Sequence, residues 1–152
     1  MPSFMKYLTD TFRCANYFRS EKLSQIDLNV NQYPYILNIC NNPGILQDQL
    51  AKLIFVHKSN VARQLKLLEE KGFIIKKTDE KDRRSLLVYP TQKALDAYPL
   101  IKKINNEWVD LVLNGISEKE QEQISKYCFI ISENAKKVVS DLKRGEVNEK
   151  NI

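Results

Sequence analysis

The sequence predicts a mainly α-helical protein that carries one small β-hairpin. Three observations predict it. Apolar residues recur at spacings of three and four along several long stretches, and only one pair of adjacent runs, Phe73–Lys77 and Leu86–Tyr89, has a strand-like aliphatic character. Four glycines among 152 residues leave little material for a turn-rich β architecture. With 43% hydrophobic and 28% charged residues, the chain has the composition of one domain with a core of its own.

The first segment, Phe4 to Leu23, follows Ser3 as a helix cap and places Phe4, Leu8, Phe12 and Ala15 at helical spacing. Tyr7, Cys14, Tyr17 and Phe18 extend that apolar surface around the helix, which therefore requires burial on more than one side. A turn over Asp27 to Asn31 precedes a second helix that ends near Asn41 and has Pro34 in its first turn. Asn42-Pro43-Gly44 stops it. Two short helices follow, from Leu46 to about Leu53 and from Lys58 to Lys71, and Gly72 closes the second. The hairpin then spans about 73–89, and its tip, Thr78 to Ser85, lacks the Asn-Gly or similar pair of a tight two-residue turn. Pro90 ends the second strand and Thr91 is placed to cap the next helix, which Pro99 should kink or interrupt. Ser117-x-x-Glu120 has the form of a capping box and opens a long last helix. That helix carries Ile124, Cys128, Ile131, Ala135, Val138 and Leu142 on a heptad-like seam, before a charged tail over 143–152 expected to fray.

The net charge of +5 is unevenly placed. Between Lys52 and Arg84 ten Lys or Arg stand against five Asp or Glu, while the rest of the chain holds 14 of each sign. A basic segment on a neutral body is the electrostatic footprint expected of a nucleic-acid binder, and equally the charge of a solvated helix face. Within it, the helix from Lys58 turns Val61, Leu65 and Leu68 to one side, and Ser59, Arg63 and Lys66 to a narrow arc on the other, flanked by Asn60 and Ala62. Arg can bond guanine O6 and N7 bidentately, Asn can pair with adenine, and Ser or Lys can hold phosphates. His57 precedes this helix and suits a phosphate contact or local packing. The hairpin tip, Asp79-Glu80-Lys81-Asp82-Arg83-Arg84, offers Lys81, Arg83 and Arg84 to a neighbouring minor groove or its phosphates. Asp82 is expected to fix the tip by pairing with an arginine.

Other chemistries find little support. His57 is the only histidine, and no Cys or carboxylate set stands near it in sequence for a triad or a metal site. No glycine-rich phosphate loop is present, so neither an enzyme nor a bound cofactor is expected. Cys14, Cys40 and Cys128 are widely separated and read as small buried apolar residues rather than a disulfide framework. The N-terminus lacks an apolar signal core and no stretch has the length of a membrane span, so a cytoplasmic protein without a membrane partner is expected.

The run from Leu50 to Thr91 resembles the MarR family of winged helix-turn-helix transcriptional regulators. The resemblance rests on Leu50-Ala51-Lys52-Leu53, on Ser59-Asn60-Val61-Ala62-Arg63-Gln64-Leu65, on Leu68-Glu69-Glu70-Lys71-Gly72-Phe73-Ile74, on Asp82-Arg83-Arg84 and on Tyr89-Pro90-Thr91. Pro90 stands where leucine is commoner, and Asn60 where threonine or serine is frequent, so base preference does not carry over. The resemblance implies a single MarR-type domain over 1–152, with dimerisation helices at 4–24 and 91–142. Between them it implies a winged helix-turn-helix over 31–90, with the recognition helix at about 58–71. It further implies a homodimer on double-stranded DNA, whose two modules read half-sites centred about 10 bp apart. The DNA-binding residues are then His57, Lys58, Ser59, Asn60, Ala62, Arg63, Lys66, Lys81, Arg83 and Arg84. The all-round apolar first helix and the heptad seam of the last support the dimer independently, since one domain of this size needs neither for its own core.

Relatives of this kind respond to small aromatic acids or to thiol oxidants. Arg13, Tyr17, Tyr33 and Tyr35 either line a pocket for a planar carboxylate effector or pack the dimer junction. Cys14 invites an oxidant-sensing reading, but aligning Tyr17 with the tyrosine of the peroxide sensors brings Arg13 to the cysteine's place. A helical protein-interaction adaptor, with its basic segment incidental, is the alternative of a different class.

Overall fold

The computed structural model describes residues 2–144, with side chains described from Ser3 to Leu142. The tail expected to fray lies largely outside the described residues. The elements run α1 (Pro2–Leu23), a single 3-10 turn (Ser24–Ile26), α2 (Tyr33–Asn41), β1 (Ile45–Leu46), α3 (Gln47–Ile54), α4 (Lys58–Glu70), β2 (Ile74–Thr78), β3 (Leu86–Pro90), α5 (Gln92–Val112) and α6 (Glu118–Arg144). The fold class is as expected: mainly α, with a small antiparallel sheet as the wing.

The chain divides into two compact units, up to Asp110 and from Leu111 onward. In the first, the core gathers between α2, α3, α4 and the sheet. Ile36, Ile39, Leu50, Val61, Leu65, Leu68, Phe73, Val88 and Ile101 are essentially free of solvent contact. The sheet order is β1-β3-β2, with Ile45 opposite Val88 and Ile75 opposite Tyr89. The two-residue β1, unforeseen in the sequence, fastens the start of α3 to the wing strand β3. Gly44 makes this possible at φ +81°, and a Cβ there would come within 3.0 Å of the Tyr89 hydroxyl.

Several local expectations need correction. Ser3 lies inside α1 rather than capping it, since the helix already includes Pro2. Thr91 holds the N-cap position of α5, and its carbonyl accepts from Leu95 N–H at 3.1 Å. Its hydroxyl, however, donates to the carbonyls of Gly72 (2.6 Å) and Phe73 (3.0 Å) instead of capping the helix. Carbonyls just past the end of α4 lack helical partners, and they capture the nearest hydroxyl. Pro99 does not interrupt α5. It lies on an exposed face, where water can serve the Leu95 carbonyl that a proline at this position leaves without its helical donor.

The second unit contains α6. Its capping box is present in part, with Glu120 accepting from Ser117 N–H at 3.0 Å and from the Ser117 hydroxyl. Those bonds hold the Glu120 carboxyl below its ordinary pKa. The seam residues Ile124, Cys128, Ile131, Val138 and Leu142 are all exposed, as are Tyr127, Phe129 and Ile130. The cysteines therefore differ from expectation. Cys14 and Cys128 are exposed, and only Cys40 is partly buried, where burial raises its thiol pKa. In a chain considered alone, helix faces that lack a second surface leave their thiols in water.

Candidate nucleic-acid interface

The helix α4 follows a turn in which Phe55 adopts φ +58°, a left-handed conformation uncommon for a bulky residue. That turn reverses the chain so that α3 and α4 pack on each other. His57 then caps α4, its Nδ1 accepting from Ser59 N–H at 3.2 Å and lying 2.7 Å from the Ser59 hydroxyl. Of the two roles weighed for His57, local structure is the one its contacts display.

Along α4, Val61, Gln64, Leu65 and Leu68 face inward. Gln64 escaped the sequence reading because a polar residue on the core side breaks the apolar stripe. Outward stand Ser59, Ala62, Arg63 and Lys66, all exposed, with Asn60 half-buried at the edge. Arg63 donates from its guanidinium to Asn60 Oδ1 at 3.1 Å, so the two side chains expected from the sequence to read bases are held together. Lys58 reaches back to Asp48 of α3 at 3.0 Å. Lys66 is paired with no carboxylate among the described residues. Beneath the helix, burial raises the pKa of the Tyr35 hydroxyl, and the positive charge of Arg63 partly opposes that rise.

The wing tip is shaped by its aspartates. Asp79 Oδ1 accepts from Lys81 N–H at 3.0 Å, Asp82 Oδ1 from Arg84 N–H at 3.0 Å, and Asp82 Oδ2 from the Ser85 hydroxyl at 2.9 Å. Asp82 is thus structural, as expected, but through a main-chain amide and Ser85, not through an arginine ion pair. A carboxylate two residues from an amide closes an Asx turn locally, at less entropic cost than ordering a long guanidinium. Lys81, Arg83 and Arg84 are exposed and, among the described residues, unneutralised. Arg84 also borders a cavity of about 150 Å³ together with Leu46, Gln47 and Asp48.

The four residues considered for an effector do not converge. Arg13 and Tyr17 line a surface groove of about 530 Å³ with Cys14, Phe18, Glu21, Lys22 and Trp108. Tyr33 lies under the Arg19 guanidinium, 5.5 Å from its ring centroid, and Tyr35 is a core residue with 2% exposure. An aromatic-rich sequence pattern cannot distinguish rings that line a cleft from rings that fill a core.

Two short packed helices, the second presenting a hydrogen-bonding arc, and a hairpin presenting three unneutralised cations, define a winged helix-turn-helix DNA-binding protein. Residues 26–85 match the sequence signature of the MarR family. The chain is 33% identical over 124 residues, 82% of this chain and 83% of the relative, to the HTH-type transcriptional regulator YybA of Bacillus subtilis strain 168. Among solved structures it is similar to MarR, at 31% identity and a TM-score of 0.80 over 91% of this chain and 94% of that one. A Listeria monocytogenes protein described as a MarR family transcriptional regulator, crystallised with a 26mer DNA, gives 25% identity and a TM-score of 0.88. That match covers 96% of this chain and 97% of the other. The chain belongs to the MarR family: it is a DNA-binding transcriptional regulator and not an enzyme. Among the described residues no helix is long and apolar enough to cross a membrane.

Proposed function

We propose that the protein is a homodimeric, cytoplasmic repressor that binds a pseudo-palindromic operator and is released by a small ligand. The observation that carries this reading is the pairing of the outward arc of α4 with the cationic wing. In this reading Ser59, Asn60, Ala62, Arg63 and Lys66 enter the major groove. His57 sets the start of the helix, Lys58 supplies a phosphate contact, and Lys81, Arg83 and Arg84 grip the flanking backbone. The domain is a winged module over 31–90 flanked by dimerisation helices at 4–24 and 91–142. The exposed apolar surfaces of α1 and α6 support a second copy of the chain as their cover. The effector proposal narrows to the groove of Arg13 and Tyr17, where a guanidinium beside aromatic walls suits a planar carboxylate.

Selection of bound sequences from random duplexes tests the reading: a palindrome supports it, and no enrichment defeats it. On the selected operator, Arg63→Ala should cost about 1–3 kcal/mol and relax preference at one base position. Arg84→Ala should weaken binding to most sequences alike and make the salt dependence shallower by about one unit. Both variants binding with wild-type affinity in gel shifts would remove these assignments. An oxidant-sensing reading is favoured only by the exposure of Cys14 in the same groove. It requires that peroxide release the wild type from DNA and leave Cys14→Ser bound.

A further inference from the structure

The end of α4 remote from His57 is tied to two segments distant in sequence through one carboxylate. Asp27, just after the 3-10 turn, adopts φ +59°, a conformation aspartate tolerates better than most residues. Its Oδ1 lies 3.2 Å from the ammonium of Lys71, the C-cap residue of α4. Its Oδ2 lies 3.1 Å from the ammonium of Lys93, in the first turn of α5. The two lysines do more than neutralise the acid. Lys71 also donates to the Asp27 carbonyl at 2.8 Å and to Oε1 of the buried Gln32 at 3.3 Å. Lys93 donates to the Lys71 carbonyl at 2.8 Å and stands 4.3 Å from the centroid of the Phe73 ring.

Two ammonium groups at a helix C-terminus meet the negative end of its dipole and its unpaired carbonyls, a favourable placement. Held to one carboxylate, they also fix where that end of the helix lies against the turn before α2 and the start of α5. None of the three side chains belongs to the outward arc of Ser59, Arg63 and Lys66. We propose that Asp27 is a positioning residue for DNA recognition: through Lys71 and Lys93 it locks the recognition helix to the first turn of α5. α5 belongs to the proposed dimerisation region, so the clasp relates each recognition helix to the dimer frame and hence sets which half-site spacing is accepted. The inference rests on the proposed homodimeric reading of the operator.

Asp27→Asn keeps the shape and the left-handed tolerance of the residue and removes its charge. Lys93→Met keeps an apolar chain beside Phe73 and removes the ammonium. Each variant should remain folded and in the wild-type oligomeric state by thermal melting and sedimentation. Each should bind the preferred operator about fivefold more weakly, a coupling at the low end for sites acting at a distance. Across operators whose half-sites are moved by one or two base pairs, the variants should discriminate about fivefold less sharply than wild type. The salt dependence of binding should be unchanged, because no phosphate contact is lost. The double variant should lose no more than either single one, as expected of groups acting as a unit.

Wild-type affinity and spacing preference in Asp27→Asn would overturn the inference. So would a shallower salt dependence in Lys93→Met, which would make this lysine a phosphate contact. A wild type indifferent to the pairing of half-sites would instead defeat the dimeric reading, and the inference with it. That outcome is visible before any variant is compared.

Discussion

The winged module and the helix α6 contain similar kinds of apolar residues and treat them in opposite ways. Leu65 of α4 is fully buried, whereas Phe129 and Leu142 of α6 are 66% and 57% exposed. Both helices are amphipathic with apolar spacings of four and three, but α4 carries this only over Val61, Leu65 and Leu68, whereas α6 sustains it from Ile124 to Leu142. The difference teaches that the length of an apolar pattern and its burial within one chain are separate matters. A module that must hold its own shape buries a short stripe against neighbours of the same chain. A long regular seam is left open in the single chain, which is the condition for covering it with something else. α1 belongs with α6 in this respect: Met5, Tyr7, Phe12 and Tyr17 are exposed, and among its described side chains only Ala15 and Leu23 are buried.

The contrast can be broken at either side. The largest effect is expected within the module, where Leu65→Ala should cost about 2–5 kcal/mol in denaturant unfolding, since it removes contacts and leaves a cavity the surrounding core cannot fully close. A loss below about 1 kcal/mol would mean that the core is looser than its burial implies. On the open side, Ile131→Glu should leave the fold intact and weaken self-association by roughly 3 kcal/mol, about a hundredfold, by placing an unpaired charge in the seam. Sedimentation across a concentration series reads this directly. An unchanged association constant would show that α6 is not covered by a second copy through this residue.

The smallest effect concerns acid. Lys93 and Lys71 hold the Asp27 carboxyl below its ordinary pKa. A carboxylate with a depressed folded pKa stabilises the fold above its unfolded value, near 4, and loses that contribution as pH falls through the folded value. Because the pair is largely exposed, the contribution should be under about 1 kcal/mol. Thermal midpoints measured between about pH 6 and pH 2 should therefore fall slightly less in Asp27→Asn than in wild type. An equal fall in both would show that Asp27 contributes nothing to stability at neutral pH.

Much of the module was legible because its signals are local. The stripe of Val61, Leu65 and Leu68, the stop at Gly72 and the aliphatic strands beside a polar tip each depend on residues within a few positions. What was not legible depends on distant competition. The two-residue β1 is too short for any periodicity and exists because Gly44 and Ile45 lie beside Val88. The Thr91 hydroxyl is diverted by carbonyls 18 and 19 residues earlier in the chain. The three-way contact at Asp27 joins positions 44 and 66 residues apart. In the candidate interface, the outward arc followed from helix geometry alone. The bond between Asn60 and Arg63 and the cap from His57 needed side-chain conformations that spacing does not specify. The aromatic residues misled for a related reason: Tyr33 and Tyr35 are two positions apart, yet one packs beside Arg19 and the other fills the core.

The wing tip separates two properties that charged loops often combine. Its shape comes from short bonds that Asp79 and Asp82 make to nearby amides and Ser85, while its charge comes from the side chains of Lys81, Arg83 and Arg84, which take no part in those bonds. Added salt screens the second far more than the first. The loop is thus built to let go without losing its form: ions can strip it from a polyanion and, on dilution, it meets the next one already shaped.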